Sequence, residues 1–145
     1  MLVLPTGEVL FSDGSSQLWI YTPDGGPDEA SRPIIDAITY NGRGVFTLTG
    51  RQLNGQSAGS SYGDDVESDE NYPIVRLVRA GTVYYGRTSN WSNTGVGTGD
   101  VTETVDFTLP AGLTAPGNHS VEVIGAGIAS FPVFLDITAA EIAGQ

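Results

Sequence analysis

The chain reads as all-β: a seven-stranded immunoglobulin-like β-sandwich with an N-terminal β-hairpin. Three observations point there. Apolar runs are short and are punctuated by 20 glycines and 8 prolines among 145 residues, which marks many turns. Where the pattern is clearest, Val101, Glu103 and Val105 share one parity and Thr102, Thr104 and Asp106 the other, the period of a strand with one face in and one face out. Seven such segments follow one another between regular turn signals, as in an immunoglobulin-like sandwich.

The elements follow in order. Leu4 to Phe11 reads as a strand after a turn, Ser12-Asp13-Gly14-Ser15 as turn chemistry, and Gln17-Leu18-Trp19-Ile20-Tyr21 as a second strand. Two runs joined through Asp-Gly form a hairpin, which we assign to residues 1–26. An isolated hairpin is marginal in water, so it docks on the following domain, pairs with another chain, or belongs to a larger assembly upstream. Residues 27–31 are a polar linker. The sandwich occupies 32–138, with strands expected at 32–40, 44–53, 73–79, 82–90, 101–109, 120–125 and 129–137. Residues 139–145 form a tail, a short helix or a frayed end. Residues 54–72 make the one long irregular segment, and connections of that length usually carry function or move.

Composition narrows the function classes. The formal net charge is −11, and all six basic residues are arginine. A surface this acidic repels phosphate, so neither nucleic acid nor an anionic membrane is expected as a partner. There is no cysteine, which excludes disulfides, cysteine nucleophiles and thiolate metal sites. No apolar run approaches the roughly 20 residues of a membrane-spanning helix. The start, Met1-Leu2-Val3-Leu4-Pro5, lacks the basic and apolar regions of a signal peptide. An exported protein would carry its signal upstream.

Several motifs together resemble a known family. They are Tyr62-Gly63-Asp64-Asp65, Asn71-Tyr72-Pro73, Arg87-Thr88-Ser89-Asn90-Trp91-Ser92 and Gly127-Ile128-Ala129-Ser130. With Phe46-Thr47-Leu48-Thr49-Gly50 and Phe107-Thr108-Leu109-Pro110, they resemble the C-terminal immunoglobulin-like domain of galactose oxidase-like, kelch-repeat proteins. Leu4-Pro5-Thr6-Gly7-Glu8-Val9 resembles the start of a kelch blade. The resemblance covers roughly residues 32–137 and is nearer to bacterial kelch-repeat surface proteins than to the oxidases. It implies an extracellular or cell-surface setting and a propeller domain, or other protein subunits, as partners.

The resemblance also names a chemistry, copper-radical alcohol oxidation, that this chain is not equipped to perform. The family's copper histidine in this domain follows an Arg-x-Gly-hydrophobic strand. Here that strand is Arg79-Ala80-Gly81-Thr82-Val83-Tyr84-Tyr85-Gly86-Arg87-Thr88, and Tyr85 or Arg87 stands at the ligand position. The only histidine, His119, lies at the start of the sixth strand. The cysteine that cross-links the radical tyrosine is absent. No cofactor is expected.

Other candidates have ordinary alternatives. Asp64, Asp65 and Asp69, within an acidic run that includes Glu67 and Glu70, are calcium candidates because calcium takes six to eight hard oxygens. The run lacks EF-hand spacing, and a solvated loop with Asx turns accounts for it equally. Arg76, Arg79 and Arg87 are positioned to pair with this run. Trp91, Tyr62 and Tyr84, with Tyr72 and Tyr85, could stack a sugar, or pack between strands. Tyr84 and Tyr85 are adjacent on a strand and must face opposite sides. Asn90-Trp91-Ser92 and Asn118-His119-Ser120 match the glycosylation pattern by composition alone. No Ser-His-Asp arrangement is apparent. We therefore expect a non-catalytic accessory domain, with a self-assembling subunit joined by strand pairing, or a carbohydrate-binding module, as alternatives.

Overall fold

The computed structural model describes residues 2–56, 72–97 and 99–145. Tyr62, Gly63, Asp64, Asp65 and Asp69 lie outside the described residues. The elements are β1 (Leu2–Val3), β2 (Val9–Ser12), β3 (Leu18–Tyr21), β4 (Ile34–Gly42), β5 (Val45–Arg51), β6 (Ile74–Arg79), β7 (Thr82–Ser89), β8 (Thr102–Thr108), β9 (Gly117–Gly125), β10 (Ile128–Ala129), β11 (Val133–Ile137) and α1 (Ala139–Ala143). The fold is all-β and antiparallel: a three-stranded sheet, β1-β2-β3, and a curled eight-stranded sheet that closes on itself as a sandwich.

One layer of the sandwich runs β4-β5-β8-β7 and the other β6-β9-β11, the strand order of an immunoglobulin constant-type domain. β7 joins the layers. Its first half pairs with β6 from Val83↔Val78 to Gly86↔Val75; its last residues, Arg87 to Ser89, pair with β8. Gly86 stands at the crossing. A Cβ there would lie 3.1 Å from the Phe107 ring and 3.3 Å from the Thr108 carbonyl, so the strand passes close over the core and a side chain would press on both.

The core is what period-2 alternation delivers from both layers. Phe46 and Leu48 of β5, Val105 and Phe107 of β8, Val75 and Leu77 of β6, and Val121 and Val123 of β9 all point inward and are buried. Phe46 stacks on Phe107, with ring centroids 5.3 Å apart and planes 12° off parallel. The tail is a capped helix rather than a frayed end. Thr138 and Glu141 form a reciprocal capping box, which satisfies two otherwise orphaned donors. Ile142 packs on the core, and the Gln145 side-chain amide donates to the Leu113 carbonyl at 3.3 Å.

Three expected boundaries move. Leu4 to Glu8 is a turn, not strand: Leu4 N donates to Glu8 O at 2.7 Å and Gly7 N to Leu4 O at 2.9 Å, with Gly7 at φ +84°. The chain before it therefore folds back, and β1 makes the hairpin three-stranded. The sixth sandwich strand begins three residues early, at Gly117, because β11 pairs with it down to Ile137↔Gly117. The seventh divides into β10 and β11. Ser130 turns inward between them, donating its N–H to the Val123 carbonyl and accepting the Val123 N–H at its hydroxyl; Pro132 follows and cannot donate to a ladder. The expected linker carries a 3-10 turn, Glu29–Ser31, capped by the Asp28 side chain.

Candidate interaction surface

The N-terminal sheet meets the sandwich at the β9–β10 corner. β1 and the Leu4–Gly7 turn rest against the β9–β10 corner, where a Cβ on Gly127 would lie 2.5 Å from the Val3 side chain and 3.1 Å from the Gly7 Cα. Leu2, Val3 and Leu4 face Tyr72, Ile74 and Ile124 across a small apolar cavity of about 140 Å³. Beside it lies a cleft of about 450 Å³ between the ends of the hairpin and the sandwich, to which Glu8, Arg32 and Arg76 contribute. All three polar groups are engaged. Glu8 accepts from the Thr6 and Thr22 hydroxyls at 2.9 and 3.2 Å. Arg76 pairs with Glu122 at 2.7 Å. Arg32 pairs with Glu29, donates to the Ala129 carbonyl and lies 4.7 Å over the Phe131 ring. The Arg32 hydrogen bond holds the Glu29 carboxyl below its ordinary range.

β3 is the far edge of that sheet, and nothing among the described residues covers it. Leu18, Trp19, Ile20 and Tyr21 are 58, 55, 60 and 61% exposed. Leu18 and Ile20 occupy one face, Trp19 and Tyr21 the other, so both faces and the backbone edge are open. The strand is held in shape from inside, by its register with β2 from Val9↔Tyr21 to Ser12↔Leu18. The Asp13–Gln17 turn closes it, with Ser15 N donating to the Asp13 carboxylate at 2.9 Å. The Ser15 hydrogen bonds hold the Asp13 carboxyl below its ordinary value.

The structure divides the residues singled out by sequence. Trp91 and Tyr72 pack together, with ring centroids 4.6 Å apart and planes 45° tilted, beside the loop whose calcium candidates lie outside the described residues. Tyr84 faces inward and packs on the core, while Tyr85 faces solvent; of the candidate aromatics, the described ones do not form a single platform. Arg76 pairs with Glu122; the acidic run it was expected to reach lies outside the described residues. Asn90 gives its side-chain amide to the Asp106 carboxylate at 2.8 Å.

His119 is fully buried on the inward face of β9. Its Nδ1 lies 2.7 Å from the Gly117 carbonyl, which makes Nδ1 the donor, and Nε2 has no partner among the described residues. Glu103 is likewise buried on the inner side of β8. It accepts from Leu53 N at 2.7 Å and from the Asn93 amide at 2.9 Å. Asn54 completes the cluster by donating to the Asn93 and Gly95 carbonyls. These groups tie the two loops at the top of the sandwich to each other, with one hydrogen bond accepted at each Glu103 carboxylate oxygen.

Sequence reasoning placed β3 as a strand and offered the hairpin as a pairing element, but did not single out Leu18 to Tyr21 as its exposed residues. The available signal was the uncharged run Gln17 to Pro23 in a hairpin with no second layer of its own. Compared with family models, with curated proteins and with solved structures, the chain matches none.

Proposed function

We propose that this chain is a non-catalytic interaction domain, an accessory β-sandwich that holds a partner protein along the edge of its N-terminal sheet. The observation that carries the reading is β3: four consecutive large apolar residues, each more than half exposed, on a strand edge that is unpaired among the described residues. An edge of this kind offers main-chain hydrogen bonds and alternating side-chain sites to an added strand. The sandwich supplies the rigid mount, since β1 and the Leu4–Gly7 turn seat the sheet against the β9–β10 corner.

The resemblance to the C-terminal domain of kelch and galactose oxidase-like surface proteins supports this reading. So does the blade-like wording of the very segment that forms the open sheet. A propeller blade has four strands, and the N-terminal sheet has three. A setting at the cell surface belongs to the same proposal. The non-catalytic part is supported by the only histidine being buried among core residues and by the Glu103 carboxylate being buried and hydrogen-bonded at both oxygens.

A neutral solvatochromic dye such as Nile red tests the surface directly. The native chain is expected to bind it, and the double variant Trp19→Ser/Ile20→Ser is expected to lose most of that signal. Phe131→Ser/Phe134→Ser, which removes two exposed aromatics elsewhere, should retain it. A β3 variant that binds dye as the native chain does would place the adhesive surface elsewhere and defeat the reading.

A further inference from the structure

We infer that the strand which fills the β3 edge is β3 of a second copy, giving a two-fold dimer with a continuous six-stranded antiparallel sheet across the interface. This rests on the interaction reading above and names its partner. The first argument is how this molecule treats its edges. Natural sheets guard open edges with bulges, prolines or charges. β4, one end of the large sheet, carries irregularities at Ile35/Ala37 and Tyr40/Gly42. β11, at the other side, is preceded by Pro132 and carries Asp136. Within Leu18–Tyr21, β3 has no bulge, proline or charge, and Pro23 lies two residues past its end. Gly14 to Pro23 contains no charged residue, and the ladder with β2 runs without a shift.

The second argument is self-complementarity. Two antiparallel strands related by a two-fold axis perpendicular to their sheet keep the same face up, so facing residues must share parity. An axis through Ile20 sets Ile20 against Ile20, Trp19 against Tyr21 twice, and Leu18 against Thr22 twice. Both aromatics then lie on one face as cross-strand pairs. The same register puts Asp24 opposite Ser16 and carries Asp13 past the end of the pairing, so no carboxylate meets another although the chain has net charge −11.

The third argument is area. At their observed exposures, four side chains of this size leave on the order of 400–500 Å² uncovered per copy. A standard interface takes about 800 Å² per partner. A strand added at the edge covers the flank of these side chains and the backbone beside them, not the two sheet faces, so β3 supplies less than half. That suits a reversible dimer at the weaker end of the range.

The test is solution mass by light scattering on the full chain from about 1 to 500 µM, a span that brackets micromolar association. Hydrogen exchange of the β3 amides is followed in the same samples. The native chain should pass from one-chain to two-chain mass as concentration rises, with β3 exchange slowing in step. Added sodium chloride should strengthen the dimer by screening the acidic surfaces. Ile20→Lys, which places two ammonium groups at the axis, should remain monomeric throughout. Trp19→Thr, which keeps a strand-forming residue, should weaken the dimer at least tenfold. Both should retain the native far-ultraviolet spectrum. A native chain that stays monomeric while its β3 amides exchange as an open edge overturns the second copy as occupant but leaves the interaction reading intact. A monomer with β3 already protected overturns both. A dimer indifferent to both substitutions overturns the proposal.

Discussion

β3 and β9 both carry large apolar residues, Leu18-Trp19-Ile20-Tyr21 in one and Val121, Val123 and Ile124 around Glu122 in the other, and meet opposite surroundings. In β9, Val121, Val123 and Ile124 are buried, with strands paired on both sides and a second layer beneath. In β3 all four residues are exposed, with one paired edge and no layer beneath. Strand propensity is alike in the two. What differs is the number of neighbours the topology provides. The buried core therefore belongs to the sandwich, and the exposed apolar strand to the N-terminal sheet.

Substitutions can break or sharpen that contrast. The largest effect is expected from Phe107→Ala, which empties a fully buried site under the Phe46 ring. It should cost about 3–5 kcal/mol, read as a lowered urea midpoint with unchanged slope. Glu103→Ala comes next. It strands the Leu53 N–H and the Asn93 amide inside the top of the sandwich, at roughly 1–3 kcal/mol in the same experiment.

Gly127→Ala separates the two regions. A methyl group there collides with Val3 and Gly7 and must adopt φ +80°. Denaturant stability should fall by only about 1–2 kcal/mol, while limited proteolysis should begin to cut within residues 2–26 and spare the sandwich. Ordinary resistance of that segment would mean the sheet is held by something other than this corner. The smallest effect is that of Ile20→Lys on monomer stability, within about 0.5 kcal/mol because the side chain is already in water.

Acid should touch the N-terminal region and linker through two exposed carboxyls. Asp13 and Glu29 are both held below their ordinary values of 3.8 and 4.5. Their contributions are therefore complete at neutral pH and are lost as pH falls through those values and below. Both groups are at the surface, so the effect is minor beside any core substitution.

Much of the sandwich was legible because alternation is a local property. Val101 to Asp106 declares its two faces without reference to any partner, and Gly and Pro mark the turns. The turn at Leu4 to Glu8 was misread because Val9, Leu10 and Phe11 continue an apolar run that hides where Pro5 and Gly7 end it. The surface was less legible. Tyr84 and Tyr85 had to face opposite ways, yet nothing in the string says which one meets the core. Trp91 finds Tyr72 only because β6 and the end of β7 lie together.

By itself the sequence determined the all-β class, the seven sandwich strands, the absence of thiol chemistry and an acidic surface, because composition and period-2 patterning are carried residue by residue. Only the tertiary structure decided that β7 changes layers at Gly86, that Glu103 and His119 are buried, and that β3, among the described residues, pairs on its β2 side alone. Each of those depends on which segments come to lie side by side, and burial and pairing are properties of neighbours distant in the chain.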